Sequence, residues 1–203
     1  MAGNSNFAVW NTLANTKQSL TYAGFSLDKG NTRFRGTTGG TSVMSSSLSM
    51  PSGKWYIEIY SENNPAGGWP TLGICKTEFL SELTNVSNYQ SYSTGTNGAD
   101  SRSEISGTDG KIYKFGASTK VTYGTSWADG DVLQIAVDID AGKWYMGKNN
   151  TYFNSGNPAT GTNAGDTFTA GTPMSIWTAS YSGASYMYIN SGQDSSFSGN
   201  ITA

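Results

Sequence analysis

Histidine is absent from the 203 residues, cysteine occurs once, and only 13% of the side chains are charged. Without imidazole there is no Ser-His-Asp or Cys-His nucleophile system, no His-ligated zinc and no imidazole pH switch. One cysteine excludes an internal disulfide framework. Twelve basic residues against 14 acidic ones leave a net charge of -2, and the Lys and Arg are scattered along the chain. Arg33 and Arg35, the nearest approach to a basic cluster, are too few for a phosphate track, so nucleic acid is not expected as a partner. No apolar run approaches the ~18 residues that cross a bilayer. Met1 to Asn15 has neither the basic nor the apolar region of a signal peptide, so neither membrane insertion nor a secretory route is expected.

What is present argues for a folded β domain. Ser, Thr, Gly and Asn abound, but 13% of the residues are aromatic, with 12 Tyr and 6 Trp, a content that disordered chains lack. About 200 residues bury roughly 70% of their unfolded surface, enough for one core without staples. Lys54 to Tyr60 alternates strictly, with Trp55, Ile57 and Ile59 on one face and Tyr56, Glu58 and Tyr60 on the other. Val132 to Asp140 does the same, with Leu133, Ile135, Val137 and Ile139 inward, and Asp140-Ala141-Gly142-Lys143 reads as a hairpin turn into Lys143 to Gly147. Further strands are expected at Leu20–Phe25, Arg33–Thr37, Ser42–Met50, Thr71–Cys75, Lys111–Phe115, Val121–Tyr123, Met174–Ser180 and Ser185–Ile189. Lys76 to Leu83 is the one helical turn. Gly36–Ser47, Ser93–Gly110 and Asn154–Ala170 read as long loops. The fold class is therefore all-β, a two-sheet antiparallel β-sandwich or jelly roll, with no internal repeat.

Candidate chemistry is sparse. Asp138 and Asp140 share a strand face and could pair as carboxylates or as half of a calcium site, but a strand cap and the start of the hairpin turn are the favoured account of them. A glycosidase needs two carboxylates about 5 to 9.5 Å apart, and Glu58 stands alone on its strand. Gly36 to Gly40 is followed by no Lys-Ser/Thr pair, so it is a turn rather than a phosphate cradle. Cys75 reads as a buried, inert thiol. No catalytic residue, metal ligand or cofactor is expected. The remaining resource is aromatic: Trp69, Tyr89, Tyr92, Tyr113, Tyr123 and Tyr152 fall in or beside loops, where rings can stack on sugars or anchor a protein.

An ordered series of motifs then resembles the SPRY family. Gly53-Lys54-Trp55-Tyr56-Ile57-Glu58-Ile59 comes first, followed by Leu72-Gly73-Ile74-Cys75 and Trp127-Ala128-Asp129-Gly130-Asp131-Val132. Val137 to Asp140, Lys143-Trp144-Tyr145 and Lys148-Asn149 come next, and Ile189-Asn190-Ser191-Gly192-Gln193 with Phe197 closes the series. The likeness runs from about Trp10 to Phe197, giving a SPRY-like (concanavalin-like) sandwich over 10–197, an N-terminal arm at 1–9 and a C-terminal tail at 198–203. Trp55, Gly73, Gly130, Asp131, Trp144, Asn190 and Gln193 are the fold-defining positions. Asn150 stands where the family commonly has glycine, and Ser191 where it has an aromatic. Ser155 to Asn163 is similar to an insertion in SPRY-like proteins encoded by bacteriophages and environmental bacteria, which the eukaryotic members, adaptors in ubiquitin ligases, usually lack.

The resemblance implies binding through loops at one end of the sandwich. The expectation is a non-enzymatic virion-associated protein of a bacteriophage that decorates a capsid or tail. Its partners would be other virion proteins, a host-surface glycan or protein, or further copies of itself. It would be made in the host cytoplasm and located in the virion. A carbohydrate-binding module and a jelly-roll glycosidase are the alternatives.

Overall fold

The computed structural model describes residues 7–11, 25–36, 41–62, 69–81, 99–181, 185–197 and 199. Its strands are β1 (Phe25–Asp28), β2 (Arg33–Gly36), β3 (Thr41–Ser45), β4 (Lys54–Glu62), β5 (Thr71–Lys76), β6 (Arg102–Ser106) and β7 (Ile112–Tyr113). They continue with β8 (Val132–Asp138), β9 (Lys143–Lys148), β10 (Thr151–Tyr152), β11 (Asp166–Thr167), β12 (Met174–Tyr181) and β13 (Tyr186–Asn190). All pairings between them are antiparallel, in two sheets. The larger has the order β1-β2-β13-β4-β8-β9-β10, with β11 also on β9, and the smaller has the order β3-β12-β5-β6-β7.

Alternation decides which residues lie between the sheets. Ile57 and Ile59 of β4, Leu133, Ile135 and Val137 of β8, and Trp144 and Met146 of β9 meet Leu72, Ile74, Ile105, Met174 and Ile176 of the smaller sheet in one core. The indole N–H of Trp144 donates to Ser103 Oγ at 3.2 Å, so the one polar atom of that side chain is satisfied inside the core. Trp55 is only partly buried and packs at the margin, its N–H donating to the Ser52 carbonyl. Packing takes in Ala8 as well as Trp10: Ala8 is buried, and its N–H donates to Ser191 Oγ. The Gln193 amide in turn donates to the carbonyls of Ala8 and Ile189. Asn190 accepts the N–H groups of Gly192 and Asp194, which turns the chain after β13. Phe197 is buried against Tyr60.

Two glycines are dictated by geometry. A Cβ on Gly73 would lie 2.1 Å from the Ser103 carbonyl oxygen, so β5 can meet β6 only with hydrogen at that position. Gly130 holds φ at +88° in the turn before β8, where Asp131 accepts the Ala128 N–H and the Asn149 side-chain amide. Asn149 and Asn150, at φ +49° and +66°, make the two-residue turn between β9 and β10. Asparagine tolerates that left-handed conformation, so the missing glycine at 150 does not disturb the hairpin.

Four sequence expectations are corrected. β6 runs through what reads as the loop Ser93–Gly110, and β11 lies within the loop Asn154–Ala170. β6 is cryptic because its sequence, Arg-Ser-Glu-Ile-Ser, carries a single apolar residue, yet all five positions are buried. Val121–Tyr123 is no strand, only a bridge from Val121 to Ile112. The helical turn is a 3-10 turn over Thr77–Ser81, and residues 20–24 of the first expected strand lie outside the described residues.

Candidate binding face

Strand register places a tyrosine-rich surface on the outer face of the larger sheet. Tyr56 on β4 is opposite Ala136 on β8, which is opposite Tyr145 on β9. The next row on that face is Glu58, Gln134, Gly147 and Tyr152. Tyr60 pairs with Tyr188, and Tyr188 and Tyr186 pair with Arg33 and Arg35. Six tyrosines thus leave one face, at spacings of two and four within their strands, because strand side chains alternate. That spacing is visible at Tyr56 and Tyr60 and again at Tyr186 and Tyr188. Only the pairing of β4 with β13 and β8 puts the groups side by side.

The two ends of the face differ. At the β2 end, Arg33 forms a fork on Asp28, reaches Glu62 at 3.2 Å and donates to the Tyr188 hydroxyl at 2.9 Å. Its hydrogen bonds hold the Asp28 carboxyl below the usual carboxylate range, against the opposing effect of partial burial. Arg35 lies over the Tyr186 ring, 4.7 Å from its centroid. With the Arg33 fork so engaged, this end is a polar clasp rather than an anion site.

At the other end a cleft of about 300 Å³ opens over β4, β8 and β9, bounded by Lys54, Trp55, Tyr56, Asp138, Tyr145, Tyr152 and Pro158–Ala159. Tyr56 is 51% exposed and donates to Glu58 Oε1 at 2.8 Å. Desolvation and the Glu58 carboxylate push its pKa up. Tyr145 is 1% exposed, meets the Tyr152 ring edge-on at 6.4 Å, and its hydroxyl has no hydrogen-bond partner. Lys54 Nζ lies 3.5 Å from Asp138 Oδ2. Farther along the same face a second hollow, of about 360 Å³, is bordered by Glu58, Asn149, Asn150, Asn190 and Ser195. Gln134 is 3% exposed and donates to Asn150 Oδ1 at 2.8 Å, while its own Oε1 is unpartnered.

The segment Ser155 to Asn163 supplies the cleft's outer wall. Asn157 pairs with Thr162, and its side-chain oxygen accepts the N–H groups of Ala159 and Thr160, closing a tight Asx turn. Lys143 Nζ donates to the Gly161 carbonyl at 2.8 Å and pins the turn to β9. Pro158 and Ala159 are held beside Tyr145 and Tyr152 in this way.

The carboxylates serve the backbone. Asp138 Oδ1 accepts the Ala141 N–H, and Asp140 Oδ1 accepts the Gly53 N–H, both at 2.9 Å. Glu58 is four residues along β4 from Lys54, the residue paired with Asp138. At the strand rise this is about 13 Å of backbone, beyond the carboxylate spacing of a glycosidase. Among the described residues no group of three or more His, Cys, Asp or Glu side chains could hold a metal ion.

Among the described residues, Tyr152 is the one loop ring proposed from the sequence for binding that lies in this cleft. Tyr113 pairs with Glu104 on the smaller sheet and sits 5.7 Å from the Lys120 ammonium, while Trp69, 42% exposed, precedes β5. Tyr89 and Tyr92 lie outside the described residues. Tyr123 is corrected from loop ring to core: it is 7% exposed, stands edge-on to Phe153, and its hydroxyl accepts the Met146 N–H. Burial pushes that hydroxyl up to about 12. Cys75 is fully buried, and desolvation raises its thiol pKa.

No family model matches the sequence, and no curated protein does. Among solved structures, the SPRY domain of human HERC1 superposes with a TM-score of 0.58 at 14% identity, covering 84% of this chain and 94% of that one. A second human SPRY domain gives a TM-score of 0.55 at 12% identity, covering 84% and 96%. At such identities the likeness concerns architecture, and it agrees with the motif series read from the sequence. The chain folds as a SPRY-like antiparallel β-sandwich.

Proposed function

We propose that the protein is a non-catalytic recognition module of a bacteriophage particle, decorating capsid or tail and contacting a virion protein or the host surface. The contact is made by the outer face of the larger sheet. The observation that carries this reading is the gathering on that one face of Tyr56, Tyr152 and Tyr186, exposed or partly exposed, beside the buried rings of Tyr145 and Tyr188. Tyrosine offers a broad apolar ring and a hydroxyl at small entropic cost, which suits a surface that holds a partner. The virion setting rests on the likeness of Ser155 to Asn163 to the insertion of phage-encoded relatives, and this segment walls the cleft. A binding role is further supported by the hydrogen bonding of Asp138 and Asp140, each of which has one carboxylate oxygen committed to a turn N–H group.

The test is mass spectrometry of purified particles from a phage carrying the gene. Recovery of the protein at a stoichiometry comparable to structural subunits is the expected result, and its consistent absence overturns the virion reading.

A further inference from the structure

We propose that the cleft between Tyr56 and the Pro158 turn is a binding site for a neutral saccharide. The inference rests on the recognition reading above and names the chemistry of the ligand. Three observations carry it.

The first is an unmet hydrogen-bonding demand. The Tyr145 hydroxyl belongs to a side chain that is 99% buried, it lines the cleft, and it has no partner. A buried hydroxyl without a partner costs roughly 1 to 3 kcal/mol, a cost that an arriving ligand hydroxyl removes. The Gln134 Oε1 atom, equally without a partner, lies in the adjoining row of the same face. Two orphaned polar atoms on one face call for a ligand that can both donate and accept.

The second is the composition of the walls. Tyr56 and Tyr152 offer rings beside Pro158, while Lys54 and Asp138 supply donors and acceptors. A pyranose has this dual character, with an apolar C–H face and a rim of hydroxyls. One cation and one carboxylate cancel, which favours an uncharged sugar over a uronic or sialic acid.

The third is the location. β4 and β8, which floor the cleft, are paired on both sides, so a ligand lying over them is held by side chains rather than by strand addition. A volume of about 300 Å³ accommodates one or two sugar rings. The ligand is therefore compact and is held by side chains.

The experiment is a multivalent glycan array that includes neutral and acidic glycans, followed by calorimetric titration of the best neutral oligosaccharide. Three variants accompany the wild type. Tyr56→Ala removes an exposed ring and should weaken binding about tenfold, the cost of one stacking contact. Tyr145→Phe removes only the orphaned hydroxyl and should weaken binding about threefold while leaving the melting temperature unchanged or higher. A merely structural hydroxyl would lower stability and leave affinity untouched. Val121→Ala, at an exposed position beside the smaller sheet, should bind as wild type. A flat array, a preference for acidic glycans, binding indifferent to Tyr56→Ala, or capture of a peptide in this cleft would each overturn the proposal. None of these results bears on whether the protein is in the particle, so failure of the saccharide site and failure of the virion reading remain distinguishable.

Discussion

The two outer faces of the sandwich are built from the same kind of strand and finish very differently. On the smaller sheet, Val43, Cys75, Trp177 and Ala179 are at most 2% exposed and pack with Phe79. Beside them Arg102 and Glu104 form an ion pair at 3.4 Å, with side chains 5% and 1% exposed. Glu104 also accepts from the Trp177 indole at 2.8 Å and from the Thr71 hydroxyl at 3.0 Å. That face is a second core. The outer face of the larger sheet leaves Tyr56 half in solvent and carries a cleft. A sealed polar network is costly to disturb and recognises nothing, whereas an open face can be altered cheaply and is where a partner can act.

The largest effect should come from the sealed face. Trp177→Ala should lower stability by about 3 to 5 kcal/mol, because it opens a cavity and removes a donor to Glu104. Its measure is the midpoint of chemical denaturation. Glu104→Ala should cost about 3 kcal/mol by stranding Arg102, and adding Arg102→Met should recover part of that loss. A double variant as unstable as the sum of the two singles would show that the ion pair does not act as a unit.

A tyrosine in the core contrasts with those on the open face. The Tyr123 hydroxyl is pushed up to about 12 in the fold, against about 10 when unfolded, so the folded protein holds its proton more tightly. Its contribution, roughly 2 to 3 kcal/mol, is complete below pH 10 and is lost as the pH rises toward 12. Tyr123→Phe should flatten that part of the pH–stability profile, and unchanged alkaline sensitivity would assign it to other groups. Smallest of all, Tyr56→Ala should shift stability by no more than about 0.5 kcal/mol and Tyr186→Ala, which loses the Arg35 contact, by no more than about 1 kcal/mol. A loss of several kcal/mol at either position would mean that the open face is structural, and the contrast between the faces would collapse.

The Cys75 thiol offers a direct readout of the sealed face. Burial raises its pKa and removes it from solvent, so it should resist alkylation at pH 8 in the native state and react once denaturant unfolds the chain. Rapid labelling of the native protein would show that this face opens.

Much of the fold was legible because it rests on local rules. The alternation of β4 and β8, the Asp138 to Lys143 hairpin, Gly73 at a close strand approach and Gly130 before β8 all follow from period, turn chemistry and sterics. β6 was hidden because an Arg–Glu pair and two serines occupy buried positions, and no periodicity of apolar residues can announce a strand whose interior contacts are polar. Tyr123 was misplaced for the converse reason: loop-like neighbours in sequence say nothing about Phe153, which reaches the same space from 30 residues away.

The site divides along the same line. Sequence alone established an all-β chain without imidazole chemistry, rich in aromatic rings, with Tyr56 turned outward on its strand. It gave no account of where the rings gather, because sheet order is set by long-range pairing. Only the tertiary structure decided that β9 and β10 bring Tyr145 and Tyr152 beside Tyr56, and that the Ser155 to Asn163 segment folds back as their wall. Tyr113 meanwhile joins the other sheet. Residues two apart share a face by local geometry, but residues 90 apart share one only when strands pair, and pairing is decided by the burial of the whole core.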